Sequence, residues 1–415
     1  MCNKIKIFRV FSRLAIGGPS IHTILLTAGL NKRKFQSILV TGNESKSEGS
    51  MMDLAFSKNV APIIVPEMSR EISFKKDIIA LIKITRLIRK FKPDIIHTHT
   101  AKAGFLGRTA VLIYNLIYND TINHKSSTIK VFHTFHGNTF TGYFGKIKSS
   151  FFIFIEKFLA RFTTQIICIT KLQKKEIIDL GISKLNHVVT IPLGLELNKF
   201  FSLNENLGSL RSELGIDDKT ILVGIIARLV PIKNHMMFLK SIIDLRRNNN
   251  DLKVKALIIG DGDCRVELER FVEKKGLNNL VIFLGFRNDI DHIYADLDIV
   301  TLTSNNEGSP VALIEAMACN IPIITTNVGG IDDLMGGKRS EINPGEFQML
   351  GCGIVVNPED QIGFSKAMKF LIDNPEVRSQ LGSKGKKMVY PQYDISRLIN
   401  DIEILYSPNP GKNPI

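Results

Sequence analysis

The chain has 415 residues, more than one hydrophobic core usually supports, so two domains are expected. Its 44% hydrophobic and 23% charged residues are the balance of a globular protein and exclude a disordered or fibrous chain. The net charge of +14 divides unevenly: residues 1–197 hold 29 Lys or Arg against 12 Asp or Glu, and residues 198–415 hold 25 against 28. The positive charge therefore belongs to the first half, where it serves either solubility or a polyanionic partner such as nucleic acid, anionic lipid or a diphosphate. Five scattered cysteines without a CxxC pair read as reduced thiols and offer no zinc site. Charges interrupt the N-terminal MCNKIKIFRVFSRL, and no apolar run approaches the ~20 residues of a membrane span. A cytoplasmic protein, soluble or peripherally bound to a membrane, is the expectation.

In chain order, a short strand at Ile5–Val10 leads through a Gly17-Gly18-Pro19 turn into a helical pattern from Ile21 to Leu30. Strands follow at Ser37–Thr41, Ile63–Val65, Asp94–Thr98, Lys130–Thr134, Gln165–Ile169 and Val188–Pro192, each alternating with helical stretches as in a doubly wound parallel sheet. This first α/β domain takes in residues 1–197. The polar, Gly-containing stretch 198–219 reads as a linker. A second alternating series, residues 220–390, has strands at Thr220–Ile226, Lys255–Ile259, Val281–Leu284, Ile299–Leu302, Ile321–Thr325 and Gly353–Val356. Residues 391–415 close with an amphipathic helix over Ile395–Tyr406. Two such domains are expected to place their ligand site in a cleft at the carboxyl ends of the strands.

Three groups of residues at those strand ends carry chemistry. Glu307 and Glu315 lie eight positions apart, with Gly308-Ser309-Pro310 opening a helix after the first, a spacing that suits a sugar hydroxyl and a ribose diol. Taken alone, that spacing fits equally well a solvated loop acid and a buried helix acid. Arg228 and Lys233 share the loop after strand 220–226, where a guanidinium fork and a point-charge ammonium suit a diphosphate and supply the stabilisation that Mg²⁺ gives elsewhere. Asp261-Gly262-Asp263 has the form of a metal-binding pair, but with Gly260 before it the run reads as a tight turn that lets the backbone approach a nucleotide. Gly17-Gly18 permits a similar approach in the first domain and does not match GxGxxG. His97, His99, His133 and His136 end two neighbouring strands; their HxH and HxxH spacings have no acidic or thiolate ligand nearby. Of these, His136 is assigned to the transferred sugar, and His97 and His133 to structural roles.

Together these motifs resemble the family 4 glycosyltransferases of the GT-B fold, the group that includes bacterial capsule, O-antigen and lipopolysaccharide sugar transferases. The resemblance rests on Gly17-Gly18, the stretch HTHTAKAGFLGR from His97 to Arg108, Thr134-Phe-His136-Gly137, Ile191-Pro-Leu-Gly194, Arg228 with Lys233, Gly285-Phe286 and the Glu307/Glu315 pair. It implies two Rossmann-like parallel-sheet domains facing a central cleft, and retaining transfer from a nucleotide sugar, by the family's preference a UDP-sugar, with no metal and no cofactor. By the same resemblance Glu307 holds the donor sugar, Glu315 the ribose, Arg228 and Lys233 the diphosphate, and Phe286 and Arg287 the base. His136 stands over the transferred sugar, and the final helix returns to the first domain. The run LMGGKRSEINPGEFQM after Asp333 departs from the family pattern as an insertion, and Asp332-Asp333 replaces its usual Pro-Glu.

Residues 70–92 carry eight Lys or Arg against two acids, and 146–175 seven against one among many aromatics, which suggests contact with an anionic membrane. An ordinary core helix with solvated lysines is the competing reading. The first suits a glycan or polyprenyl-diphosphate-linked acceptor, met by His99, Lys102 and Arg108. A nucleotide-sugar epimerase of the same fold and a nucleic-acid-binding protein are the rivals. The first would call for acids and histidines arranged for elimination, against which the Arg228/Lys233 and Glu307/Glu315 set argues, and the second has no nucleic-acid motif to support it.

Overall fold

A computed structural model describes residues 4–45, 48–69, 71–118, 129–137, 146–201, 203, 207–247, 253–337 and 340–407, without the side chains of 146–148. The chain forms two units, one running to Leu195 and resuming at Ile395, the other Glu196–Asp394. Each is built on a seven-stranded sheet, as the GT-B resemblance implies.

In the first unit, β1 (Ile5–Arg13), β2 (Phe35–Gly42), β3 (Ile63–Ile64), β4 (Ile95–His99), β5 (Lys130–Phe135), β6 (Gln165–Cys168) and β7 (Val188–Thr190) lie in the order β3-β2-β1-β4-β5-β6-β7. All neighbours are parallel. Because side chains alternate along a strand, Phe8, Val10, Ile96 and Val131 pack on the helices Phe74–Phe91 and Ala101–Tyr118. Ile7, Ile95 and Phe132 pack on the opposite face, against Leu26 of the helix Gly18–Gly29 and against the final helix. That helix, Ile395–Tyr406, buries Leu398, Ile402 and Tyr406, a four-residue repeat that makes one stripe. Its entry is fixed by Ile395 N–H donating to the Leu195 carbonyl and by the Arg397 guanidinium donating to the carbonyls of Pro192 and Leu193.

In the second unit, β8 (Ile221–Ile226), β9 (Val254–Ile259), β10 (Val281–Gly285), β11 (Ile299–Leu302), β12 (Ile323–Thr326), β13 (Gln348–Leu350) and β14 (Gly353–Val356) take the order β10-β9-β8-β11-β12-β14-β13. The insertion read from the sequence ends in a strand: β13 pairs antiparallel with β14 and extends the sheet edge. Among the parallel strands of each sheet the chain order reverses once, between β1 and β4 and between β8 and β11, and a gap opens there between the crossover helices.

Leu398 is wholly enclosed by the first unit's sheet and helices. Leu398→Ala is expected to destabilise that unit by about 3 kcal/mol, seen in denaturant unfolding as an earlier loss of one transition while the second unit's transition stays in place.

Candidate functional site

In the second unit the reversal point brings two charged loops together. After β8 the chain passes Arg228 and makes a 3-10 turn, Pro231–Lys233, before the helix His235–Arg247. After β11 it runs through Thr303–Pro310 into the helix Val311–Ala318. Backbone bonds clamp the two: Asn305 N–H donates to the Ile232 carbonyl at 2.8 Å, and the Thr303 hydroxyl is shared by the carbonyls of Lys233 and Asn234. Lys233 Nζ then reaches Glu307 Oε1 at 2.5 Å, and the Ser304 hydroxyl donates to the same oxygen. Glu307 is 9% exposed, and its Oε2 has no partner among the described residues. The Ser309 hydroxyl is buried without a hydrogen-bond partner, just ahead of the unsatisfied N–H groups of the helix that Pro310 begins. Arg228 is exposed, and no side-chain bond holds it among the described residues.

Glycines make these approaches possible. Gly329 has φ +57°, and a Cβ there would collide with the Glu307 carbonyl. Gly260, at φ +132°, lies as closely against the Ala227 carbonyl, which ties the turn after β9 to the Arg228 loop. Asp261 in that turn is taken up by Arg265 and by the N–H of Gly262.

Glu315 lies about one turn into the helix, where it accepts a bond from the Tyr294 hydroxyl at 3.0 Å. Desolvation pushes its carboxyl up to about 7, against the pull of Lys199 and of that hydroxyl. Phe286, at the end of β10, leaves half of its surface exposed. Arg287 departs from the expectation of a base-contacting residue, because its guanidinium is forked onto Glu213 and Asp289 at 2.6–2.9 Å and braces the loop.

In the first unit, Gly17 precedes the helix Gly18–Gly29 with φ +153°, a backbone state that favours glycine and leaves the space beside it open. Side chains from the middle of β1 and from the ends of β4 and β5 lie on the same sheet face. Arg9 stands opposite His97 in register, so both point the same way, with His99 two residues on. His99 Nδ1 and His136 Nε2 are hydrogen-bonded at 2.9 Å, edge to edge, with the ring planes inclined by 30°. His22 of the first helix meets the His136 ring edge-on. Burial holds the His136 ring down to about 3, and His22, His97 and His99 are lowered by burial and by the cations around them.

One ring nitrogen each of His22, His99 and His136 lies within 4.8 Å of the others, close enough for metal ligands. Among the described residues no carboxylate or thiolate joins the set, and the Arg9 guanidinium stands 3.5 Å from His99. Three imidazoles can hold zinc without an anionic ligand, so what counts against a divalent cation here is the fixed positive charge of Arg9 beside the set. His22 and Arg9 are the members that the sequence reading passed over. Arg9 had a signal, since it falls on the Ile5/Ile7 side of an apolar strand.

The three acceptor residues expected from sequence are placed elsewhere. Arg108 is 1% exposed and forked onto Glu156 at 2.7 and 2.8 Å, an internal ion pair joining two helices. Lys102 binds Asp77 and the Glu71 carbonyl. His99 is wholly buried behind His136. None of the three presents its polar group to an acceptor.

Two family models match: Glycosyltransferase Family 4 over residues 16–199 and Glycosyl transferases group 1 over residues 208–388. UDP-Gal:alpha-D-GlcNAc-diphosphoundecaprenol alpha-1,3-galactosyltransferase of Escherichia coli is 27% identical over 396 residues, spanning 93% of this chain and 95% of that protein. The capsular polysaccharide biosynthesis glycosyltransferase CapM of Staphylococcus aureus is 24% identical over 83% of this chain and 84% of its own length. The crystal structure of Anabaena Alr3699/HepE in complex with UDP and glucose superposes with a TM-score of 0.77 at 18% identity, over 98% of this chain and 100% of that one. The structural likeness carries the fold. The two models, one on each sheet-bearing unit and in order along the chain, carry the family: this chain belongs to the family 4 glycosyltransferases.

Proposed function

We propose that the enzyme moves a hexose or N-acetylhexosamine from a UDP-sugar to a polyprenyl-diphosphate-linked acceptor in cell-surface polysaccharide synthesis, with retention of configuration and without a metal. The observation that carries the reading is the Lys233–Glu307 pair at the reversal point of the second sheet, with Arg228 exposed on the same loop as Lys233. A diphosphate is met by Arg228 and Lys233, whose fixed charges offset the charge that develops on the departing phosphate. Glu307 accepts from a hydroxyl of the donor sugar through its open Oε2, and Ser309 and the helix N–H groups take a further oxygen. Glu315 accepts from the ribose diol, Phe286 stacks on the base, and Gly260, like Gly17 with Gly18 in the first unit, keeps side chains out of the ligand's way. His136 bonds the transferred sugar. The relatives support the donor and the acceptor class: the Escherichia coli enzyme is named for UDP-Gal and a diphosphoundecaprenol, and HepE was solved with UDP-glucose.

The proposed acceptor lives in a membrane, and the first unit has a surface that suits one. Phe151, Phe154 and Phe158 repeat on one side of the helix Lys146–Ala160 at 61%, 69% and 47% exposure, with Lys157 and Arg161 alongside. Phe74, Ile78, Ile79 and Ile82 are exposed on the basic helix Phe74–Phe91. Apolar rings amid cations match the interface of an anionic bilayer better than water. Arg70 and the side chains of Lys146 to Lys148, counted in those basic stretches, lie outside the described residues. No helix among the described residues is long and apolar enough to cross a membrane.

Glu307→Gln is expected to lower kcat about 100- to 1,000-fold while UDP affinity by titration calorimetry changes less than about 3-fold; near-normal turnover would refute the role of Glu307. Glu315 titrates near 7, so its carboxyl is mostly protonated at pH 6 and ionised at pH 8. UDP affinity should therefore rise more steeply over that interval in the native enzyme than in Glu315→Gln, and parallel profiles would remove Glu315 from the ribose site. For the membrane, changing Phe151, Phe154 and Phe158 to Ser should cut sedimentation with phosphatidylglycerol vesicles about 10-fold or more. Native binding indifferent to lipid charge and to salt would count against the surface.

A further inference from the structure

Arg9 is wholly buried, and no acidic side chain pairs with it among the described residues. An unpaired interior guanidinium is costly, so its neighbours are informative. Its Nε donates to the Thr27 hydroxyl, whose own hydrogen goes to the Thr23 carbonyl. Its Nη1 lies 3.0 Å from His97 Nδ1, 3.3 Å from the Tyr406 hydroxyl and 3.5 Å from His99 Nε2. A guanidinium only donates. Each nitrogen that faces it must accept, since an imidazole N–H in that place would set donor against donor.

The consequence runs through three rings. His97 has one lone pair at Nδ1, which takes the Tyr406 hydroxyl at 2.5 Å and leaves the two Nη1 hydrogens of Arg9 for the Tyr406 oxygen and His99 Nε2; His97 so carries its proton on Nε2, which donates to the Thr134 hydroxyl at 2.7 Å. His99 accepts at Nε2 and so carries its proton on Nδ1, which donates to His136 Nε2. His136, accepting at Nε2, has its proton on Nδ1, and no other described residue bonds that atom. The opposite arrangement, with His99 protonated on Nε2, would leave His136 Nδ1 as an acceptor. Arg9 selects between the two.

We propose that Arg9 is a positioning residue which, by donating to His99 Nε2, sets the tautomer of that ring and thereby makes His136 a hydrogen-bond donor to the ligand and not a base. The assignment rests on the reading that His136 meets the transferred sugar, whose ring and hydroxyl oxygens accept such a bond. It also explains why His136 stays neutral, since a second proton at Nε2 would confront the N–H of His99.

The test is the tautomeric state of the histidines in the full-length protein without substrate. Long-range ¹⁵N–¹H correlation spectra of ¹⁵N-histidine-labelled enzyme, assigned with His99→Gln and His136→Gln, should show both rings neutral and protonated on Nδ1 from pH 5.5 to 8. Arg9→Lys keeps a donor and should preserve that pattern. Arg9→Met removes the donor, so signal should move toward Nε2–H at His99 and His136, and kcat/KM for sugar transfer should fall roughly 10-fold, the loss of about one hydrogen bond. Nε2–H tautomers in the native enzyme, or unchanged tautomers in a folded Arg9→Met, would overturn the proposal. If Arg9→Met does not fold, the native and Arg9→Lys spectra still decide, because loss of Nδ1–H in either refutes the assignment. Recorded without substrate, the spectra are unaffected by an error in the donor or acceptor assigned above.

Discussion

A parallel sheet sends every loop that follows a strand to the same edge, and this geometry governs what the two units can do. Where the chain order reverses, the crossover helices part and two of those loops lie side by side in the gap. In the second unit the two are the loops after β8 and β11, which deliver Lys233 and Glu307. In the first they are the loops after β1 and β4, which deliver Gly17 and the end of the His97–His99 strand, with His136 arriving from β5 next door. Residues 74 positions apart, as Lys233 and Glu307 are, form a short ion pair because topology has already brought their backbones together.

The same regularity made much of the fold legible in the sequence. Buried parallel strands are nearly continuous apolar runs, so thirteen of the fourteen strands among the described residues stand out between helical stretches. The missing one, β13, is the three residues Gln348–Leu350, with too little pattern to register alone; its antiparallel partner β14 makes it a strand. Charges at strand ends were equally legible, which is why Lys233 and Glu307 were found together. Arg108 and Lys102 were misjudged for a physical reason. A basic residue in a helix discloses nothing about an acid elsewhere in the chain, and Glu156 and Asp77 decided the matter. Arg287 was likewise claimed by Glu213 and Asp289.

Two buried arginines show how partner choice separates architecture from function. Arg108 has a forked carboxylate, and removing either member of such a pair leaves an uncompensated charge at a cost of about 3–5 kcal/mol. Its burial is accounted for by joining two helices. Among the described residues Arg9 faces only neutral groups, two imidazoles and two hydroxyls, which compensate a charge less well than a carboxylate does. Apolar packing could occupy that place in a strand at lower cost, so retention of a cation there fits a site whose chemistry needs a fixed donor.

The Lys233–Glu307 pair has the reverse logic. Each member is only partly enclosed, with side-chain exposures of 20% and 8%, so an incoming anion can compete for the ammonium. Under the proposed reading, a diphosphate that draws Lys233 toward itself weakens the hold on Glu307 Oε1 and frees that oxygen for the sugar's hydroxyls. Ser304 still donates to Oε1 and keeps the carboxylate in place during the exchange. The pair would then hold the empty site in order without the cost of two unpaired charges, and binding of the diphosphate would ready the sugar subsite. Gly329 is what allows the chain to pass so close to the Glu307 backbone, which would make that glycine as much a part of the proposed donor site as the acid it supports.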